Sequence, residues 1–354
     1  MSVRTDAIVV TSRAVAVIDA VVEHCAEHGL SVIRPEPGNF SFTYLDCSVR
    51  LRAVAGALHA EVEAPSENML FFLKQEVIEH LEEIDAEAAQ KLRWRHESHE
   101  GGCPPNFRLL ETVARQEVMP GLLRVRLKGT DLAALAQDGI HVRLMLPADR
   151  SGPPVWPVVA ANGGVIWPKG ENLLHSRFVT IRTLRLEQNE VDIDIAAHDG
   201  GLVSEWASLP VNGDVVGVMG PSGDSMLPRM DGLLLIADLT GLPAIARLLE
   251  TLNSPSDGHI IVSALNVEAA RTYLPATSLE IHAIPPERFE TEVVEADRSV
   301  GAREATRYAW FAGEFVNAQA LRNVFKREFG LGKMEQLSVA YWRRGVPGHA
   351  AREV

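Results

Sequence analysis

The sequence predicts a multidomain chain: a small α+β domain, then an antiparallel β-barrel, then an α/β domain on a parallel sheet. Three observations lead there. The 354 residues exceed what one hydrophobic core usually organises. The rhythm of the pattern changes twice, from helix-flanked strands to strands alone near Phe107, and to strands alternating with helices beyond Asp231. Between the first two regions runs "RHESHEGGCPPN", a polar stretch rich in Gly and Pro.

Residues 1–95 form the first predicted domain. "TSRAVAVIDAVVEHCAEHG" begins with cap-competent Thr11 or Ser12 and ends at Gly29, as a helix should, and a strand is expected ahead of it at Ala7 to Val10. The runs "SVIRPE", "FSFTYL", "CSVRLRAV" and "ALHAEVEA" follow as an antiparallel meander, with Cys47, Val49, Leu51 and Ala53 sharing one face. After Pro65, the spacing of Leu70, Leu73, Val77, Leu81 and Ile84 predicts a second helix. Residues 96–106 read as a linker, and its His96, His99 and Cys103 lack the spacing of a metal knuckle.

Residues 107–228 carry the predicted barrel, with strands at "LLRVRLKG", "HVRLMLP", "RFVTIRTL", "VDIDIAAH" and "DVVGVMGP" and a helix at "GLVSEWASL". Residues 229–345 carry the α/β domain: strands "GLLLIA", "HIIVSAL", "SLEIHAI", "RYAWFAGE" and "QLSVAYW", helices "LPAIARLLETL" and "NAQALRNVFKREFG". Residues 346–354 are a tail.

A net charge of -13 argues against nucleic acid, whose phosphates require a basic footprint. Three cysteines without metal or redox spacing exclude an iron–sulfur cluster ligated by four thiolates. Nowhere do 18 uncharged apolar residues run together, and the amino terminus makes a poor signal peptide, so a cytoplasmic enzyme or binding protein without membrane insertion is expected. "GPSGDS" lacks the spacing of a nucleophile elbow, "HESHE" is not the zinc-protease pair, and no Gly-x-Gly-x-x-Gly or Walker loop occurs.

A barrel followed by a parallel α/β domain is the order of flavin reductases of the ferredoxin-reductase type. A flavin dinucleotide needs a cation for its pyrophosphate, a donor near the reactive ring nitrogen and a flat surface against the ring. "HSRFVTIRTL" offers Arg177, Thr180 and Arg182; arginine's planar fork binds phosphate oxygens in pairs. "HDGGLVSEWA", opening with His198, offers backbone amides at a helix start, with Gly200 and Gly201 permitting close approach and Ser204 near the first turn. A barrel strand also exposes Arg and Thr with no ligand, so the local pattern leaves both readings open.

"SRFVTIRTL", "VDIDIAAHDGGLVSEWA", "NGDVVGVMGPSG", "LLLIADLTGLPAIARLLE", "AWFAGEFVNAQALRNVFKREFGL" and "SVAYWRRG" occur in an order and spacing that resemble the siderophore-interacting protein family, FAD-dependent ferric-siderophore reductases of the vibriobactin-utilisation type. The resemblance covers Phe107 to Gly345. Residues 1–95 resemble a small uncharacterised bacterial domain sometimes fused ahead of such reductases, with no activity to carry over.

The resemblance implies a ferredoxin-reductase-like barrel for FAD and an α/β domain for the reductant. In the family's strand pattern of Arg, any residue, Tyr, Thr, any residue, Arg, the matches are Arg177 for the pyrophosphate, Thr180 for the flavin ring, and Arg182. The tyrosine position is Val179, and Phe178 points to the opposite face of the strand. Loss of a stacking partner removes about 0.5–1.5 kcal/mol. Two further stretches depart. Gly201, Leu202, Val203, Ser204 and Glu205 stand where the family has Gly-Pro-Ala-Ser and a following Arg, and Leu239 stands for the glutamate of Asp-Glu-Thr-Ala-Leu-Pro. On the substrate side the family's strand lysine corresponds to Arg143, and the basic residue of "YWRRG" to Arg343, with Arg344 behind it. Trp310 and Trp342 are expected in packing rather than in an electron path.

The implied function is cytoplasmic reduction of a ferric siderophore with release of Fe(II), using FAD and either NAD(P)H or ferredoxin as donor. Hard oxygen ligands hold Fe(III) far more tightly than Fe(II), so one electron opens the chelate. Two alternatives are a chelate-binding or regulatory protein with weakened flavin binding and a general flavin reductase. The motifs leave open the siderophore, the donor, the oligomeric state and the role of the first domain.

Overall fold

The computed structural model describes residues 2–27, 32–33, 36–44, 46–95, 99–137, 139–148, 152–198, 200–211, 213–222, 227, 231–252, 257–299 and 305–346. They fall into two compact units.

The first unit is Met1–Phe107 together with Ala148–Leu173. Strand β1 (Val3–Val10) leads to helix α1 (Ala14–Glu27), then to β2 (Val32–Ile33), β3 (Asn39–Tyr44), β4 (Cys47–Val54) and β5 (Ala57–Ala64), and to helices α2 (Glu67–Ile84) and α3 (Ala86–Lys91). The sheet runs β1-β5-β4-β3-β2, antiparallel throughout. Alternation on β4 buries Cys47, Val49 and Leu51 against Val17 and Ile18 of α1 and Leu81 of α2. Ala55 and Gly56, both at positive φ, make the tight turn between β4 and β5. Helix α2 starts where the Ser66 hydroxyl accepts the Met69 N–H at 3.1 Å. Gly29, the expected end of α1, and the linker's His96 lie outside the described residues.

The chain then enters the second unit through β6 (Phe107–Met119), β7 (Leu122–Lys128) and β8 (His141–Pro147). Residues 148–173 carry the short hairpin β9 (Val158–Val159) and β10 (Val165–Ile166), which belongs to the first unit. There Asn162 donates to Ala89 O at 3.0 Å, and Gln75 donates to Gly163 O at 2.8 Å. The barrel resumes with β11 (Leu174–Arg185), β12 (Glu190–Ala196), helix α4 (Leu202–Ser208) and β13 (Val215–Ser222). Six strands close it in the order β11-β12-β7-β6-β13-β8. The inward residues Val125, Leu127, Val142, Leu144, Ile181, Ile193, Val216 and Val218 fill it, with Trp206 of α4 against them. Strand β6, absent from the sequence reading, completes the closure; its bulges at Thr112/Ala114 and Glu117/Met119 break the alternation.

The rest of that unit alternates β14 (Leu233–Ala237), α5 (Leu242–Leu249), β15 (Gly258–Ser263), α6 (Val267–Tyr273), β16 (Glu280–Ile284), α7 (Pro286–Ser299), β17 (Tyr308–Glu314), α8 (Phe315–Arg327) and β18 (Gln336–Trp342). All strands are parallel, in the order β16-β15-β14-β17-β18. Strand β14 is buried on both faces, which explains its unbroken apolar run. Strand order reverses between β14 and β17, and in open parallel sheets the crevice at that switch point, beyond the carboxyl ends, receives ligands. Among the described residues no helix is long and apolar enough to cross a membrane.

Candidate functional site

Antiparallel pairing of β8 with β11 sets Phe178 opposite Arg143, Val179 opposite Val142, and Thr180 opposite His141. Residues two apart share a face, so His141, Arg143, Phe178 and Thr180 line one side, while on the other Val142 is buried in the barrel's apolar interior and Val179, half-buried, packs against it. The Arg143 guanidinium lies over the Phe178 ring at 5.1 Å. Phe178 therefore occupies the face opposite to that of the family's tyrosine, and Val179 packs against the barrel core.

Arg177 is half-buried, and the one hydrogen bond its guanidinium makes among the described residues is to the carbonyl of Ser176 at 2.6 Å. Loss of water around it pushes its pKa down. A cation held in this way, with no ion pair to a carboxylate among the described residues, has donors to spare for an anion. Arg182 is in a different position. Its Nη1 meets Glu250 Oε1 at 2.6 Å, beyond the end of α5, and its guanidinium lies over Tyr273 of α6 at 5.6 Å. The Tyr273 hydroxyl donates to Asp194 at 2.5 Å, and Asp194 accepts a two-pronged contact from Arg124 at 2.8 Å on each side. Arg182 thus belongs to a polar network joining barrel to sheet.

Beyond β12, the Ser204 hydroxyl accepts the His198 N–H at 2.8 Å and closes the loop that enters α4. A β-carbon on Gly201 would come within 2.2 Å of the His198 ring, so any larger residue there would have to turn that ring away. Antiparallel pairing of β11 with β12 places this loop at the same barrel end as Arg177.

The sequence reading missed a three-residue chain. His141 Nδ1 stands 3.3 Å from the Thr180 hydroxyl, and its Nε2 stands 3.0 Å from the Tyr341 hydroxyl. Dehydration pushes the His141 pKa down to about 4, so the ring is neutral, with one nitrogen donating and the other accepting. If Nδ1 carries the hydrogen it donates to Thr180, whose own O–H then points elsewhere; if Nε2 carries it, Thr180 donates to Nδ1 and offers lone pairs outward. The hydroxyl can therefore present either a donor or an acceptor without any charge being created.

Tyr341 reaches His141 through an irregularity of register. Gly313 pairs with Ala340 and Glu314 with Trp342, leaving Tyr341 as the extra residue of a bulge. The adjacent Trp342 donates its indole N–H to Asp238 Oδ2 at 2.7 Å, and Asp238 Oδ1 accepts from the Thr240 N–H and hydroxyl at 2.7 and 2.6 Å. Trp310 is buried in the sheet's core. Leu239, at the glutamate position, packs into the same core, and a β-carbon on Gly121 in the β6–β7 turn would approach it to 3.3 Å. Beyond Trp342, Arg343 is exposed and stacks over Phe315 at 4.5 Å. Arg344 is exposed and paired with Glu290, and its backbone N–H donates to Glu314 at 3.2 Å. The His141–Tyr341 contact thus joins the end of β18, which leads to both arginines, to the barrel face bearing Arg143 and Thr180. The available signal was the period of two: His141 shares a face with Arg143 in "HVRLMLP".

Residues 111–225 match the siderophore-interacting FAD-binding domain, and residues 230–345 match the siderophore-interacting protein domain. The chain belongs to the siderophore-interacting protein family. Ahead of the family's two domains, residues 6–95 match an uncharacterised domain conserved in bacteria, DUF2218. This siderophore-interacting protein is 28% identical to the ferric vibriobactin reductase ViuB of Vibrio cholerae over 254 residues, 70% of this chain and 93% of that one. It is 32% identical to an NADPH-dependent ferric-chelate reductase of Escherichia coli over 150 residues, 42% of this chain and 58% of that one. Among solved structures, a siderophore utilization protein from T. fusca superposes with a TM-score of 0.58 at 28% identity, covering 69% of this chain and 95% of that one.

Proposed function

We propose that this protein is a cytoplasmic, FAD-dependent ferric-siderophore reductase that takes its electrons from NADPH. The observation that carries the reading is Arg177 near the start of β11, a half-buried guanidinium with no carboxylate partner among the described residues, three residues before a buried hydroxyl. These residues fit the cofactor: Arg177 would hold the pyrophosphate, Thr180 would face the flavin ring, and the loop of His198, Gly201 and Ser204 would close the same barrel end. When bound, FAD supplies the ability to take two electrons together and pass them on singly, which iron requires.

The chain's own residues do the rest. Neutral His141, tied to Tyr341, orients the Thr180 hydroxyl and leaves it able to serve as donor or acceptor toward a bound flavin ring. Arg182 holds barrel and sheet together through Glu250. Arg143 and Arg343 attract an anionic chelate by charge, since a basic rim raises the local concentration of anions. The balance is one hydride from NADPH for two electrons, reducing two Fe(III) to two Fe(II) and leaving NADP+ and one proton. The sequence match to an NADPH-dependent relative and the switch point beyond β14 and β17 support NADPH as donor.

The test is to purify the protein, record its flavin absorption, reduce it anaerobically with NADPH, NADH or reduced ferredoxin, and reoxidise it with ferric chelates. Bleaching by NADPH and reoxidation by a ferric siderophore are expected. Arg177→Ala should bind FAD at least about tenfold more weakly, a loss of about 1.4 kcal/mol. A colourless protein that takes up no added FAD overturns the reductase reading and leaves the chelate-binding one. Bleaching by ferredoxin alone overturns the choice of donor.

A further inference from the structure

The first unit carries a constellation that the reductase reading does not use. His24 on α1 faces Glu76 and His80 on α2, and the last two are four residues apart, hence on one side of the helix. One nitrogen from each histidine and one carboxylate oxygen lie within 4.8 Å of one another. His24 Nε2 is 3.7 Å from Glu76 Oε2, and the two imidazoles meet edge to face with centroids 5.0 Å apart. Ligands that share one ion at about 2.0–2.2 Å stand roughly 3.3–3.6 Å from each other, close to the 3.7 Å between His24 and Glu76.

His80 supplies the second, independent observation. Its Nδ1 is buried and makes no hydrogen bond. A buried imidazole nitrogen left in this state loses its water without replacement, and native structures rarely tolerate that without a partner. A nearby carboxylate, Glu83, is 3.7 Å away and exposed, too far for a hydrogen bond. Burial, and after it the neighbouring His24, push the His80 pKa down against the pull of Glu83, which favours the neutral ring that ligates. A second group in the molecule, His259, Glu280 and His282, differs on this point, because His259 Nδ1 and His282 Nε2 already stand 3.2 Å apart as hydrogen-bond partners.

We propose that His24, Glu76 and His80 form a binding site for one borderline divalent transition-metal ion, such as Zn2+ or Fe2+. Two imidazoles and one carboxylate suit such ions better than Mg2+ or Ca2+, which prefer all-oxygen shells. Three protein ligands leave at least one coordination position for water or another donor. The site would tie α1 to α2, and it gives the amino-terminal domain a chemistry of its own. It stands independently of the flavin reading.

The experiment uses the full-length protein stripped with a chelator. Co2+ is titrated by its visible absorption, and Zn2+, anaerobic Fe2+ and Mg2+ by calorimetry. One equivalent of Co2+ is expected, with Zn2+ and Fe2+ both bound more tightly than Mg2+; metal analysis of the protein as purified identifies the resident ion. His80→Gln and Glu76→Gln should each weaken binding about tenfold or more, while His282→Gln leaves it unchanged. Near-ultraviolet circular dichroism and wild-type flavin absorption in each variant show that folding and the flavin site are intact, so the two sites fail separately. No uptake by the wild type, equal affinity in His80→Gln and Glu76→Gln, loss confined to His282→Gln, or preference for Mg2+ overturns the proposal.

Discussion

Val179 stands where the family's flavin strand carries a tyrosine. It packs against the barrel core, so the surface that an aromatic ring would provide is missing from the Arg177 side of β11. Val179→Tyr should tighten FAD binding by up to about tenfold, from a stacking gain of about 0.5–1.5 kcal/mol. Equal dissociation constants by fluorescence quenching would show that another residue supplies the stacking face. His141 makes a second prediction. Its folded pKa, near 4 against an ordinary 6.5, means the unfolded chain binds more protons between those values. Stability therefore rises with pH across that window and is lost as pH falls through it, by at most about 1.4 kcal/mol per unit. His80 and His282 are shifted in the same direction and add to the slope. The difference between wild type and His141→Asn, from urea unfolding at several pH values, isolates the His141 share; identical slopes would remove it.

At the scale of elements, the bulge of β18 and the close contact of β14 with β17 decide the geometry beyond the sheet's carboxyl ends. A β-carbon on Gly313 would lie 2.7 Å from Asp238 Oδ2 and 2.8 Å from the Phe311 ring. Gly313→Ala should therefore displace Asp238, weakening its bond to Trp342 and costing about 1–3 kcal/mol. If NADPH is the donor as proposed, a raised KM for it together with a lowered melting temperature is expected, and a variant unchanged in both would show that the loop yields freely. Helix α7 was not read from the sequence because half of "PERFETEVVEADRS" is charged, and of its apolar residues Phe289 and Val293, four apart, are the fully buried ones. Strand β14 was legible because burial on both faces leaves an uninterrupted apolar run. The bulge had no counterpart in the pattern, since one extra residue changes which way Tyr341 points and not what the residues are.

For the whole molecule, the apolar core of the first unit, from Ala7 to Trp94, is separate from those of the barrel and the sheet. Calorimetry should resolve two unfolding transitions. Leu81→Ala, at a position with no exposed surface, should lower one of them by about 2–5 kcal/mol, and FAD at about 100 times its dissociation constant should raise only the other, by about 2.7 kcal/mol. A single transition moved by both would show that the units unfold together. The sequence by itself determined the barrel, the parallel sheet and the small domain, because periodicity of apolar residues is a local consequence of which face is buried. It also singled out Arg177, Thr180, Arg143 and Arg343. Only the tertiary structure decided that Arg182 is held by Glu250, that His141 links Thr180 to Tyr341, that residues 148–173 fold with the first unit, and that His24 meets Glu76 and His80. Each of these depends on partners brought together from distant parts of the chain or from different elements, and local spacing carries no record of such meetings.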